Sequence, residues 1–258
     1  MNLKSKNPFL SSKSFTENNT TVYNTDGRPV EIIDYNNTMT VQGAINKSFI
    51  LFALLLVGAG STWYQVYTGQ NPMVLTITGA VVGLIMVIAA SFSPKNSRYL
   101  APAYALFEGL FIGGISSLFE LRYPGIVIQA VGGTMVTFGV CLLLYKFGVV
   151  KVTEQFKSVV YASTLAIATY YLISMLFYWI GGVSFFHHGT SLMSIGFSIF
   201  VIVIAALNLF MDFDLIEQGA KRKMPKFMEW FGAMGLMVTL VWLYVEFLRL
   251  LSKLQSRN

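Results

Sequence analysis

Long apolar runs separated by short polar breaks fill most of the chain. Seven of them, 48–68, 73–92, 100–119, 125–145, 158–180, 191–211 and 231–252, are near the length needed to cross a bilayer, which is about 20 residues for a helix. The breaks read GQNP, SPKNSR, RYPG, KFGVVKVTEQFK, GGVSFFHHG and DFDLIEQGAKRKMP. No run keeps up a period-two alternation, so the runs predict helices rather than strands. The expected fold is all-α: a polytopic membrane bundle of seven transmembrane helices. Residues 1–40 are different. Asn, Thr, Ser and Lys dominate there and large apolar residues are few. This stretch has no apolar signal-peptide core and reads as a polar, mobile tail. The membrane domain is expected over 41–258, with Thr40 the candidate N-cap of its first helix.

Composition agrees with this pattern. Of 258 residues 55% are hydrophobic and 12% charged, against about a quarter charged in soluble domains. The distribution of the +6 net charge predicts orientation. With the N-terminus in the cytoplasm, the inside segments carry fourteen Lys and Arg residues, and the first three outside loops carry only Arg122. Cytoplasmic loops favour such residues. Arg249, Lys253 and Arg257 then fall at an outside C-terminus, so the last segment either crosses or is re-entrant. Crossing is expected, because earlier segments mostly set orientation and Arg249 can snorkel. The spacings Gly79/Gly83 and Gly109/Gly113 predict close helix packing. Cys141, the only cysteine, lies in an apolar run and reads as a packing residue.

The acids are the candidate chemistry. Glu108 lies in the third run and Glu246 in the seventh. An ionised carboxylate in lipid costs roughly 3 kcal/mol or more, so each should face the protein interior or a wet cavity, or be protonated. Either is a proton- or cation-responsive group, or else a structural hydrogen bond between helices. Glu246 and Arg249 are three residues apart on one helix face, which leaves a local ion pair open. Asp212, Asp214 and Glu217 follow the sixth run. If the helix continues, Asp214, Glu217 and Lys221 share a face, with Gly219 as the expected stop. Lys221, Arg222, Lys223 and Lys226 suit both the inside rule and a helix C-terminus. The acids oppose the helix dipole there. They would capture cations, hold a proton or pair with bases; the bland alternative is a solvated interfacial cluster.

Other chemistry is not indicated. His187 and His188 are adjacent and would diverge on a helix. Zincin, serine-hydrolase, phosphate-loop and cysteine-metal motifs are absent from the sequence. The Gly-x-Gly-Asp context of intramembrane aspartyl proteases is also absent. A non-enzyme with no cofactor and no resident metal is expected. The bases do not gather on one folded face, which argues against nucleic acid.

Six stretches, NPFL, YALFEGLFIGGISSLFE, YPGIVIQAVGGT, LYKFGVVKVTEQF, ALNLFMDFDLIEQG and MEWFGAMGLMVTLVWLYVEFLRLLSKL, resemble the Bax-inhibitor (YccA-like) superfamily, in a bacterial branch. The resemblance implies a seven-helix fold with the last helix central, in a bacterial inner (plasma) membrane. It also implies one of two activities. Some members conduct a pH-sensitive calcium leak, in which an acid after the sixth helix and an acid in the seventh share a proton. Here FD at 213–214 and LYVE at 243–246 match, so Asp214 and Glu246 inherit those roles. Such a pair would titrate together, latching two helices when protonated and attracting calcium when not. Other members regulate a membrane-anchored ATP-dependent protease or protect against stress. Two departures stand out. Glu replaces Asp in the seventh helix, and Arg249 stands where Asn is frequent, a cation able to neutralise Glu246.

Overall fold

The computed structural model describes residues 19–23, 29–33, 37–181 and 189–257. The seven predicted runs form seven helices: α1 (Val41–Tyr67), α2 (Met73–Phe92), α3 (Ser97–Arg122), α4 (Ile126–Lys146), α5 (Glu154–Gly181), α6 (Leu192–Lys221) and α7 (Met228–Gln255). Each is long and apolar enough to span a membrane. A short antiparallel pair precedes them, β1 (Asn19–Tyr23) with β2 (Pro29–Ile33), in register Val22 to Val30. The mobility expected of residues 1–40 falls largely outside the described residues. His187 and His188 lie outside them too.

Local chemistry sets the helix ends. Thr40 is extended and its hydroxyl accepts the Gly43 N–H at 2.9 Å, the expected N-cap of α1. Gly69 and Gly125 turn the chain at φ +75° and +83°, a region open to glycine. Glu120, near the end of α3, bridges to the start of α4. Its carboxylate accepts the N–H groups of Gly125 at 2.6 Å and Val127 at 3.1 Å, placing a negative charge at a helix N-terminus. One expectation is corrected: Gly219 does not stop α6, which runs on to Lys221. A side chain at 219 would meet the Met39 sulfur 2.6 Å away. Glycine is there for space, and the left-handed turn residue is Lys223 instead.

α7 is the central helix. Its apolar window is 61% buried, while the next highest, that of α3, is 44% buried. It packs against α1, α3, α4 and α6. Leu243 and Leu248 on it are fully buried, as is Leu51 of α1. α7 runs unbroken to Gln255 and is long and apolar enough to cross a membrane. α3 holds α1 and α2 through glycines. A Cβ at Gly109 or Gly113 would strike the α1 backbone at Leu55 or Ala59, and one at Gly79 would strike the α3 backbone at Phe107. This is the close approach expected of small residues four apart. Cys141 is buried, its thiol 3.7 Å from the Ala206 carbonyl of α6.

Candidate functional site

α6 and α7 are antiparallel neighbours joined by a short turn, so residues equally far from that turn lie level. Asp214 is seven residues before the end of α6, and Glu246 is eighteen after the start of α7. At 1.5 Å per residue the two are offset by about 16 Å along the bundle. The structure does not bring Asp214 and Glu246 together.

Each has other partners. Asp214 is buried, with Lys157 of α5 3.1 Å from its Oδ2 and the Gln218 amide 3.4 Å from its Oδ1. Lys157 also reaches Glu154 at 3.2 Å. Glu246 is 1% exposed. Its Oε1 accepts from the Tyr171 hydroxyl of α5 at 3.1 Å and from Arg249 at 3.0 Å. Arg249 in turn lies 4.8 Å from the Tyr171 ring centre, a cation–π contact. The local ion pair left open by the sequence is therefore the arrangement adopted. The other oxygen, Oε2, is buried with no hydrogen-bond partner.

Asp212 lies level with α7. A Cβ placed on Gly235 would sit 3.5 Å from its Oδ1, and the Thr239 hydroxyl one turn further along α7 donates to the Gly235 carbonyl at 3.3 Å. Its Oδ2 is buried and unpartnered. Glu217 faces the other way. It accepts the Tyr145 hydroxyl of α4, and Lys221 is 2.5 Å from its other oxygen. The expected pairing of 217 with 221 is present. Glu108 is elsewhere, half-buried on α3, with an oxygen 2.7 Å from where a Cβ on Gly83 of α2 would lie.

Sequence reasoning missed two buried charges. Glu229, in the first turn of α7, is 1% exposed. It accepts the Thr40 N–H and hydroxyl, both at 3.0 Å, and Lys47 of α1 is 2.5 Å away. A Cβ on Gly43 would collide with this carboxylate. The signal was present in the sequence: an acid in a first helical turn, where the dipole favours it, and a lysine inside an apolar helix. The second is Lys253, buried near the far end of α7. Its ammonium donates to the Ser194 carbonyl at 3.2 Å and the Ser198 hydroxyl at 2.7 Å, both on α6.

A strap crosses the opposite end of the bundle, at the α6–α7 turn. The Met39 N–H donates to Met224 O at 2.6 Å, the Lys226 N–H donates to Asn37 O at 3.0 Å, and Thr38 bridges to Pro225. The Met39 side chain is buried beside Ile216 of α6 and Met228 of α7. Among the described residues no three acidic, histidine or cysteine side chains gather as a metal site.

The combination of seven apolar helices, a buried central α7 and acids on α6 and α7 has a counterpart among known families. The family described as Bax inhibitor 1 like matches residues 7–256. The chain belongs to the Bax inhibitor 1 like family. The match spans α1 to α7 and nearly all of the strap and tail. The comparison with curated proteins gives no match. In this Bax inhibitor 1 like protein, then, Asp212 lies against α7, and three other acids are tied to bases: Asp214 to Lys157 of α5, and Glu217 and Glu246 to Lys221 and Arg249 on their own helices. Chemically, Asp212 and Glu246 each offer one buried oxygen with no donor, and of these two only Glu246 has a cation beside it.

Proposed function

We propose that this membrane protein is a proton-sensitive cation leak, with calcium the first ion to test and Asp212 the sensing acid. The observation that supports the reading is the orphan Oδ2 of Asp212, buried with no hydrogen-bond partner. A neutral carboxyl is tolerated there, while an ionised one faces Gly235 of α7, and the Thr239 hydroxyl beside it already donates to the Gly235 carbonyl. Charge inside a membrane bundle is costly unless a partner or water reaches it. Deprotonation therefore favours separation of α6 from α7 or entry of a cation. Calcium takes six to eight oxygens. Isolated carboxylates supply too few for tight binding, and weak binding suits passage. Glu246 plays a different part, as a charged lining group already matched by Arg249.

Calcium entry into liposomes, followed from acidic to alkaline pH, tests this. Flux through the native protein is expected to rise on alkalinisation. Asp212→Asn should flatten the response, and Glu246→Gln should leave its pH dependence in place. No flux above empty liposomes at any pH sinks the reading. One observation favours a second reading, a non-conducting regulator of a membrane-anchored protease or of a stress response. The α6–α7 turn exposes Lys221, Arg222, Lys223 and Lys226 beside the strap, a basic surface on the side that the charge bias assigns to the cytoplasm.

A further inference from the structure

A cavity of about 350 Å³ lies between α1 and α4, within the size range of small-molecule pockets. Phe52, Leu56 and Trp63 of α1 form one wall, and Val127, Val131 and Met135 of α4 another. α3 and α7 supply the floor, through Ile112, Ser116, Met237 and Tyr244 among others. The floor asks for no polar ligand. Ser116 and Tyr244 hydrogen-bond each other at 2.6 Å, and Thr134 donates to its own helix at Ala130 O. The rim residues Leu56, Val131 and Met135 are exposed. In a seven-span protein their surroundings are hydrocarbon, so the cavity is continuous with the lipid-facing surface.

Its depth matches one leaflet. α1 ends and α4 begins on the same side of the membrane. Trp63 lies four residues from the end of α1, and Val127 is the second residue of α4. From Trp63 to Phe52 the groove runs about 16 Å along α1 at 1.5 Å per residue. Half of a hydrocarbon core roughly 30 Å thick is about 15 Å. It therefore starts near headgroup level and stops near the midplane.

We propose that this groove holds one acyl chain of a bilayer phospholipid as a resident ligand, set against Met237, Val241 and Tyr244 of the central helix. The site is independent of any conduction by the acids. Gly60 provides the test. It lines the groove, and a Cβ there meets nothing within 4 Å, as is also true of Gly196 on the outer face of α6. Gly60→Phe fills the groove without a backbone clash, and Gly196→Phe is the matched control. Each protein is stripped by detergent exchange, refilled with dipalmitoyl phosphatidylcholine and weighed by native mass spectrometry. One tightly held lipid per chain is expected on the native and Gly196→Phe proteins, and none on Gly60→Phe. Equal retention by all three, or none by any, overturns the proposal. A measurement on the native protein alone guards against misfolding of the variant. A phosphatidylcholine carrying a diazirine in its chain should mark Leu56, Trp63, Val131 and Met135 and remain bound in detergent. Adducts spread evenly over the exposed faces of α2 and α5, or a second copy of the chain cross-linked across the groove, overturn it equally.

Discussion

Arg249 decides what Glu246 can do. With the guanidinium 3.0 Å from Oε1 and stacked on Tyr171, the carboxylate of Glu246 already has its counter-charge. Removing the guanidinium strands a buried carboxyl that keeps only the Tyr171 hydroxyl as a donor, a loss of about 3–5 kcal/mol for a buried pair. Arg249→Gln should therefore lower stability by that order in chemical unfolding in detergent, and Glu246→Gln added to it should recover most of the loss. No loss in Arg249→Gln would show that the pair contributes little to holding α7. The Arg249 contact was legible from three-residue spacing on one helix. The separation of Asp214 from Glu246 was legible too, by counting from the shared turn, but matching short motifs does not count residues between them. That count singles out Asp212, whose α7 neighbours Gly235 and Thr239 lie level with it.

Helix pairs in this bundle meet where side chains are missing. The α1–α3 crossing sets Gly58 against Gly109, their α-carbons in the path of each other's absent side chains. Gly109→Ala forces the two backbones apart, and overpacking of this kind costs about 1–3 kcal/mol. Gly60→Ala, two residues from the crossing and facing open space, should instead be neutral or stabilising by up to about 1 kcal/mol, since alanine outranks glycine in a helix. Thermal unfolding in detergent should rank the variants Gly60→Ala, native, Gly109→Ala from most to least stable. The glycine pairs on α2 and α3 stood out by spacing. Gly58 did not, because α1 carries its contact glycine without a second one four residues away; only the crossing point reveals it. Span existence was readable because hydropathy is local, whereas the rotational phase of each helix depends on which neighbours it meets.

At the scale of the molecule, one buried pair links the two ends of the described bundle. Lys47 and Glu229 are 182 residues apart in sequence. Removing one member of a buried ion pair costs about 3–5 kcal/mol, because the other charge is stranded. Lys47→Met should lower stability by that order in chemical unfolding in detergent, and Lys47→Met with Glu229→Leu should recover most of it. Failure of the double variant to recover would place the loss in packing of α1 rather than in stranded charge. This long-range pairing was not legible in the sequence, where Lys47 counted only toward orientation and nothing singled out Glu229 as its partner. It also imposes an order on synthesis. Lys47 and the Thr40 cap are among the first membrane-domain residues to leave the ribosome, and their carboxylate arrives only with the last helix. Until then the lysine lacks its carboxylate partner, so a chain truncated before α7 carries a standing mark of incompleteness in its first helix.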